Sequence, residues 1–282
     1  MPLFHHTELQ KLLNTSLPTV NTLNCRFSLV RGLTGESWRI DIAEGISVLA
    51  HQQTAAKKIL GISSKRNAKL LHSCGSKLGP KVLAHNNHWI IVEWLPGKNV
   101  TSKVFEDLNK SGELAAIIAE LHRRPLSGHR LHMQQQFANY WQQLDKRRLT
   151  PYWLRYQQHF LKITPPTPLK LSPLHMDIHP GNIIIGDTGL RLIDWEYAAD
   201  GDIALDIAVL FRSNNWTDNQ QKSFLQHYTK YGYPDKVRLC AQIKYWLPWV
   251  DYLIFMWLET RWQQSGNDIF LNLGTLLRKH FC

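Results

Sequence analysis

Asp177, Asn182 and Asp194 are the residues of this chain whose types and spacing bear most directly on chemistry. Asn182–Ile185 and Leu190–Asp194 are apolar runs rich in β-branched residues, and Gly186-Asp187-Thr188-Gly189 between them reads as a hairpin turn. Folding about Asp187-Thr188 sets Asn182 across from Ile193 or Asp194. An amide oxygen and a carboxylate then meet at the open end of the hairpin, a pair able to grip a hard cation. Asp177 precedes Asn182 across Pro180-Gly181 and therefore sits in a loop at the same end. Phosphoryl transfer needs such a set: two groups to hold Mg²⁺ on the phosphates, and one carboxylate to orient and deprotonate an attacking hydroxyl. The plainer alternative is that Asp177 and Asn182 cap a turn.

His175 extends the pattern to H-x-D-x-x-x-x-N followed by a strand ending in Asp, the arrangement of a kinase-type catalytic loop and metal-binding Asp. Trp195 then stands where such loops carry Phe. We read His175 as structural, bonding the loop in place, and His179 as a surface loop residue. Asp202 and Asp206 begin a helix expected over Ile203–Phe211. One of them can brace the catalytic loop, and Asp202 can equally cap the helix.

The elements that must position these groups change in character along the chain. His5–Leu13 reads as a short helix. Cys25–Arg31, Trp38–Ile42, Ile46–Ala50 and Trp89–Glu93 read as strands, with a turn at Gly32-Leu33-Thr34-Gly35 able to approach a phosphate. Lys57–Ser73 reads as a helix. After Leu95-Pro96-Gly97 helices dominate: Glu113–His122, with Leu114, Ile117, Ile118 and Leu121 on one face, then Tyr140–Leu149 and Trp153–Ile163. The aromatic stretch Tyr245–Trp262 reads as a helix kinked at Pro248. The expected class is α+β, with a mainly β lobe over 1–96, a mainly α lobe over 97–282, and a cleft between them.

Composition narrows the partners. Lys plus Arg number 33 against 22 Asp plus Glu, a net charge of +11, but the basic residues are scattered rather than clustered. Nucleic acid, an anionic membrane and ATP all suit a basic surface. The four cysteines are far apart in sequence, which argues against a CxxC metal or redox pair. No basic segment followed by an apolar one stands at Met1–Leu17, and Tyr245–Leu258 is too short to span a bilayer. The expectation is a reducing cytoplasm, no membrane partner and no nucleic acid.

LHMDIHPGN, LIDWEYA and DGDIALDIA together resemble the aminoglycoside phosphotransferase and choline kinase superfamily, and within it most resemble the bacterial thiamine kinases. The likeness is specific over Leu171–Leu210, is supported by Leu114–His122 and by Trp94-Leu95-Pro96-Gly97, and is diffuse over the first eighty or so residues. It implies a protein-kinase-like bilobal fold, ATP and Mg²⁺, and transfer of phosphate to the hydroxyethyl group of thiamine. Gly32, Thr34 and Gly35 would cover the ATP phosphates. Glu93 and Leu95 would present hinge backbone to adenine. Asp177 would be the base, and Asn182 and Asp194 the metal ligands.

Trp195, Glu196, Trp249 and Trp257 are candidates for the acceptor, a small cationic alcohol suited to aromatic faces. Choline or an aminoglycoside is the alternative acceptor. A catalytically weak pseudokinase binding a polyanion or a protein is a different kind of reading. It is motivated by one departure from the pattern. The third strand carries no Lys or Arg where the family places a basic residue, and the following helix offers Arg66-Asn67 in place of a Glu partner. Lys57 or Lys58 can substitute for it from a neighbouring turn, although the favoured expectation is that both are solvated surface lysines.

Overall fold

The computed structural model describes residues 3–18, 25–32, 35–42, 45–75, 77–187 and 189–282. Five strands, β1 (Arg26–Gly32), β2 (Gly35–Asp41), β3 (Ser47–Gln52), β4 (Val82–His85) and β5 (Trp89–Glu93), form an antiparallel sheet in the order β1-β2-β3-β5-β4. Alternate residues of its strands face opposite ways. Ile40, Ile42, Val48, Ala50, Trp89 and Ile91 pack with Leu9 and Leu13 of α1 (Leu3–Ser16) in one core. Ile90 and Val92 point the other way, into the main core. With both faces covered, β5 reads in sequence as an unbroken apolar run.

The single helix expected over Lys57–Ser73 is two helices, α2 (Ala55–Ile59) and α3 (Ser64–Cys74). Gly61 between them takes a φ of +81°, which ends the first, and the Ser63 side chain then caps the second through Arg66 N. Lys57 is a second correction. The expectation of a solvated lysine fails because Lys57 lies one helical turn from Leu60 on the inward side of α2, and both are buried, while Lys58 is exposed.

The remainder is mostly helical: α4 (Ser102–Ser111), α5 (Glu113–Leu121), α6 (Met133–Trp141), α7 (Pro151–Lys162), α8 (Ile203–Ser213), α9 (Asp218–Tyr231), α10 (Lys236–Ser265), α11 (Ile269–Leu273) and α12 (Thr275–Phe281). In α5 the expected face, Leu114, Ile117, Ile118 and Leu121, is the buried one. The helix expected over Tyr140–Leu149 lies earlier, as α6, with Met133, Phe137 and Tyr140 inward. Beyond it the Asp145 carboxylate accepts from Arg147 N and turns the chain into one short 3-10 turn instead. Helix α8 is buried from Ile203 to Phe211 and packs along α10, which runs on through Pro248. No helix among the described residues is long and apolar enough to cross a membrane. The sheet-rich N-terminal region and helical C-terminal part are those of a protein-kinase-like fold.

Candidate active site

Short strands carry the candidate residues. β7 (Leu171–Leu174) pairs antiparallel with β10 (Ala199–Asp202), and β6 (Lys98–Asn99) with β8 (Ile183–Gly186), which pairs with β9 (Gly189–Leu192). In the β8–β9 hairpin Ile183 faces Leu192, and one step on Ile193 N donates to Asn182 O at 3.0 Å. Asn182 is therefore opposite Ile193, with Asp194 just beyond, as the hairpin argument requires. The Asn182 side-chain amide donates to both Asp177 Oδ2 and Asp177 O at 2.9 Å. Its NH₂ is spent on Asp177, and the amide oxygen is left as an acceptor.

Two non-glycine residues flank this point in left-handed backbone conformations, Met176 at φ 66° and Asp194 at φ 62°. Such geometry costs of order 1–3 kcal/mol and persists only where the surroundings enforce it. Asp206 of α8 enforces it at Met176: its carboxylate accepts from Met176 N at 2.7 Å and from His175 N at 3.2 Å. Asp206 is held in turn by His122 Nε2 at 3.1 Å, and His122 Nδ1 meets the Tyr228 hydroxyl at 2.7 Å. His175 is fully buried, with Nε2 3.0 Å from Ile193 O, which ties the loop to the hairpin. Of the two aspartates proposed as braces, Asp206 braces the loop and Asp202 caps α8 through Ala204 N. His179 is partly exposed, with Nε2 3.8 Å from Asp177 Oδ2.

Three carboxylates crowd here: Asp177, Asp194 and Glu196. Burial, then the charges of Glu196 and Asp177, push the Asp194 carboxyl well above the ordinary carboxylate value. Burial and Glu196 raise Asp177 as well, against the opposing pull of His179. The lysine within reach is Lys57, whose Nζ lies 3.1 Å from Glu196 Oε2. His51 on β3 adds no charge: burial and the neighbouring Lys57 hold it far below the usual imidazole value, and its Nδ1 meets Ser37 Oγ at 2.8 Å. The carboxylate paired with a lysine here is Glu196, from the segment after β9 rather than from α3. Arg66, at the place where that partner was sought, bonds Gly61 O instead.

The donor set suits a hard divalent cation. Glu196 Oε1 is buried without a hydrogen-bond partner among the described residues. No group of three or more His, Cys, Asp or Glu among the described residues is poised to hold a metal by itself. A site of one or two carboxylates completed by phosphate oxygens is the manner of Mg²⁺.

The other candidates fall in different places. Gly32 and Gly35 face each other at the β1–β2 end, and Thr34 lies outside the described residues. Glu93 ends β5, and its Oε1 accepts from Lys81 N at 3.0 Å and Arg191 Nη2 at 2.7 Å, joining the sheet to β9. Leu95 is buried just past it. Trp195 packs its ring 4.8 Å from His175 and donates from Nε1 to Leu192 O. Trp257 donates from Nε1 to the Tyr197 hydroxyl at 2.8 Å, directly after Glu196 in sequence. Trp249 lies with Phe137, Phe160 and Trp246, on the wall of a cavity of about 290 Å³. Sequence reasoning missed the inward face of Lys57, which the Thr54 cap and the Lys57–Leu60 spacing signal, and it missed Tyr197.

Over residues 49–240 the chain matches the model of a family described as "Phosphotransferase enzyme family". It is 38% identical over 209 residues to the thiamine kinases of Salmonella paratyphi B and Salmonella typhimurium, covering 74% of this chain and 73% of each relative. In fold it is similar to the choline kinase of Streptococcus pneumoniae (TM-score 0.71, 17% identity, 96% of this chain and 98% of that one). It is also similar to the ethanolamine kinase of Plasmodium vivax (TM-score 0.69, 15% identity, 98% and 88%). Because the matched segment runs from β3 to α10 and so contains the loop, the hairpin and the bracing aspartate together, this chain belongs to the phosphotransferase enzyme family.

Proposed function

We propose that this chain transfers the γ-phosphoryl group of ATP to the primary hydroxyl of thiamine, giving thiamine monophosphate and ADP. The observation that carries the reading is the meeting of Asp177, Asn182 and Asp194 at one hairpin end, in a chain 38% identical to thiamine kinases. Asp177 orients the hydroxyl and takes its proton as the new P–O bond forms and the bond to the β-phosphate oxygen breaks. Asn182 and Asp194 would hold Mg²⁺, which neutralises charge on the phosphates. Gly32, Thr34 and Gly35 cover the phosphates, and Glu93 and Leu95 form the hinge, between lobes of residues 1–96 and 97–282. Glu196, Trp195, Trp257 and Trp249 serve the acceptor. A thiazolium ring is a flat permanent cation, and each aromatic contact to it is worth about 0.5–2 kcal/mol. The setting is a reducing cytoplasm, consistent with four free cysteines.

The test compares kcat/KM for thiamine, choline and an aminoglycoside at fixed MgATP. Thiamine is expected to lead. A tenfold or larger preference for either rival overturns the substrate and leaves the phosphotransferase standing.

A further inference from the structure

The phosphates of a nucleotide need a fixed cation, and β3 offers none: its residues are Ser47, Val48, Leu49, Ala50, His51 and Gln52. We propose that Lys57, carried on α2 and steadied by Glu196, supplies that charge and grips the nucleotide phosphates. This rests on the kinase reading above and deepens it.

Lysine is rarely buried unless paired. Lys57 is the buried lysine among the described residues, at 3% exposure. Its Nζ has three donors, and one is spent on Glu196 Oε2 at 3.1 Å. The others are available to oxygens entering from the side of Asp194, since Lys57, Glu196 and Asp194 line one pocket together with His51 and Gln53. Glu196 follows Asp194 by two residues, so one short segment presents both the candidate metal ligand and the anchor of the lysine.

The helix that carries Lys57 is held from outside the sheet. Thr54 caps it through Lys57 N, Gln264 Nε2 of α10 donates to Ala56 O at 3.2 Å, and the Tyr140 hydroxyl of α6 reaches Leu60 O at 3.5 Å. A cation on α2 is therefore fixed against the helical part of the molecule, which also carries Asp177. That fixes its distance to the reacting centre without any Lys or Arg on the third strand.

The competing account is a strut that merely joins α2 to the segment after β9. Calorimetric binding of MgATP, MgADP and adenosine to the unaltered protein and to Lys57→Gln, Lys57→Arg and Lys58→Gln separates the two. A phosphate-gripping lysine predicts that Lys57→Gln weakens MgATP and MgADP by about tenfold or more, the loss of a charge-assisted contact, with adenosine unchanged. Lys57→Arg should retain most of the affinity, and Lys58→Gln all of it.

Equal weakening of all three ligands by Lys57→Gln, or no weakening of any, overturns the assignment while leaving the kinase reading intact. Failure of the unaltered protein to bind MgATP overturns both. Should Lys57→Gln not fold, Lys57→Met, which keeps the buried stem and removes the charge, decides by the same comparison. MgATP and MgADP should weaken about tenfold with adenosine unchanged, and equal weakening of all three or of none overturns the proposal.

Discussion

Two sets of carboxylates lie within thirty residues of each other and live by opposite rules. Asp200 accepts from Ser127 N and Oγ, Gly128 N and His129 N, at 2.7–3.1 Å. Asp202 accepts from Leu169 N, Ala204 N, Gln242 and Trp246. Asp206 accepts from His122, His175 N and Met176 N, and these donors hold its carboxyl below the ordinary value despite complete burial. On the other side, Asp177 has Asn182 as its side-chain donor, Glu196 has Lys57, and Asp194 has none among the described residues. A buried carboxylate rich in donors is scaffold, and its loss strands the donors. A crowd of carboxylates short of donors, with pKa values raised by burial and by one another, is a site that gains by receiving cations.

Neutralising each set in turn should give opposite outcomes. Asp177→Asn should lower kcat by ~100-fold or more, since it removes the proton acceptor. Asp194→Ala should abolish Mg²⁺-dependent nucleotide binding, read by titrating Mg²⁺ against nucleotide affinity. Neither change should lower the thermal midpoint. The folded pKa of each is raised, so the stability it contributes is lost as pH rises from the ordinary carboxylate value through the folded pKa, and at neutral pH replacing the carboxyl relieves that loss. A large fall in midpoint for both variants would place these residues with the scaffold.

Asp206→Ala tests the other half. It strands His122, His175 N and Met176 N in the interior, at a cost of about 3 kcal/mol or more. For a chain of this size that corresponds to a midpoint lower by roughly 6 °C or more. Nucleotide affinity of the fraction still folded should change far less than in Asp194→Ala. A variant of unaltered midpoint and lost nucleotide binding would make Asp206 a ligand-binding residue and erase the distinction drawn here.

How much of this was legible beforehand depended on whether the signal was local. The β8–β9 hairpin was legible because two β-branched runs flank a Gly-Asp-Thr-Gly turn, which left Asn182 across from Ile193 or Asp194; the structure sets it opposite Ile193, with Asp194 next along. Helix α5 was legible from one apolar face. The break at Gly61 was harder, since the run from Lys57 to Ser73 is helix-compatible and the φ of +81° shows only in three dimensions. The cap at Thr54 and the spacing to Leu60 mark the inward side of α2, but they do not show that a glutamate 139 residues away meets Lys57 there. The donors of Asp200 are likewise remote, from Ser127 to His129.

The smallest effect expected is a movement of the pH profile, and it has a sign that can fail. If Asp177 takes the proton, kcat/KM must fall as pH drops through the Asp177 pKa. Burial and the Glu196 charge raise that pKa, so the acid limb should lie above the ordinary carboxylate range. Glu196→Gln deletes a negative neighbour and leaves Lys57 uncompensated. Both changes favour the Asp177 anion, so the limb should move to lower pH even if the rate itself is reduced. His179, with Nε2 3.8 Å from Asp177 Oδ2, acts in the other direction when it carries a proton on both nitrogens, pulling the Asp177 pKa down. His179→Asn keeps a side chain able to accept from Gly181 N while deleting the group that can carry that charge, so the limb should move to higher pH. Opposite displacements by two substitutions on either side of one carboxylate would tie the limb to Asp177. Displacement in the same direction, or none in either variant, would assign the limb to another group and remove the pH argument for Asp177 as the base.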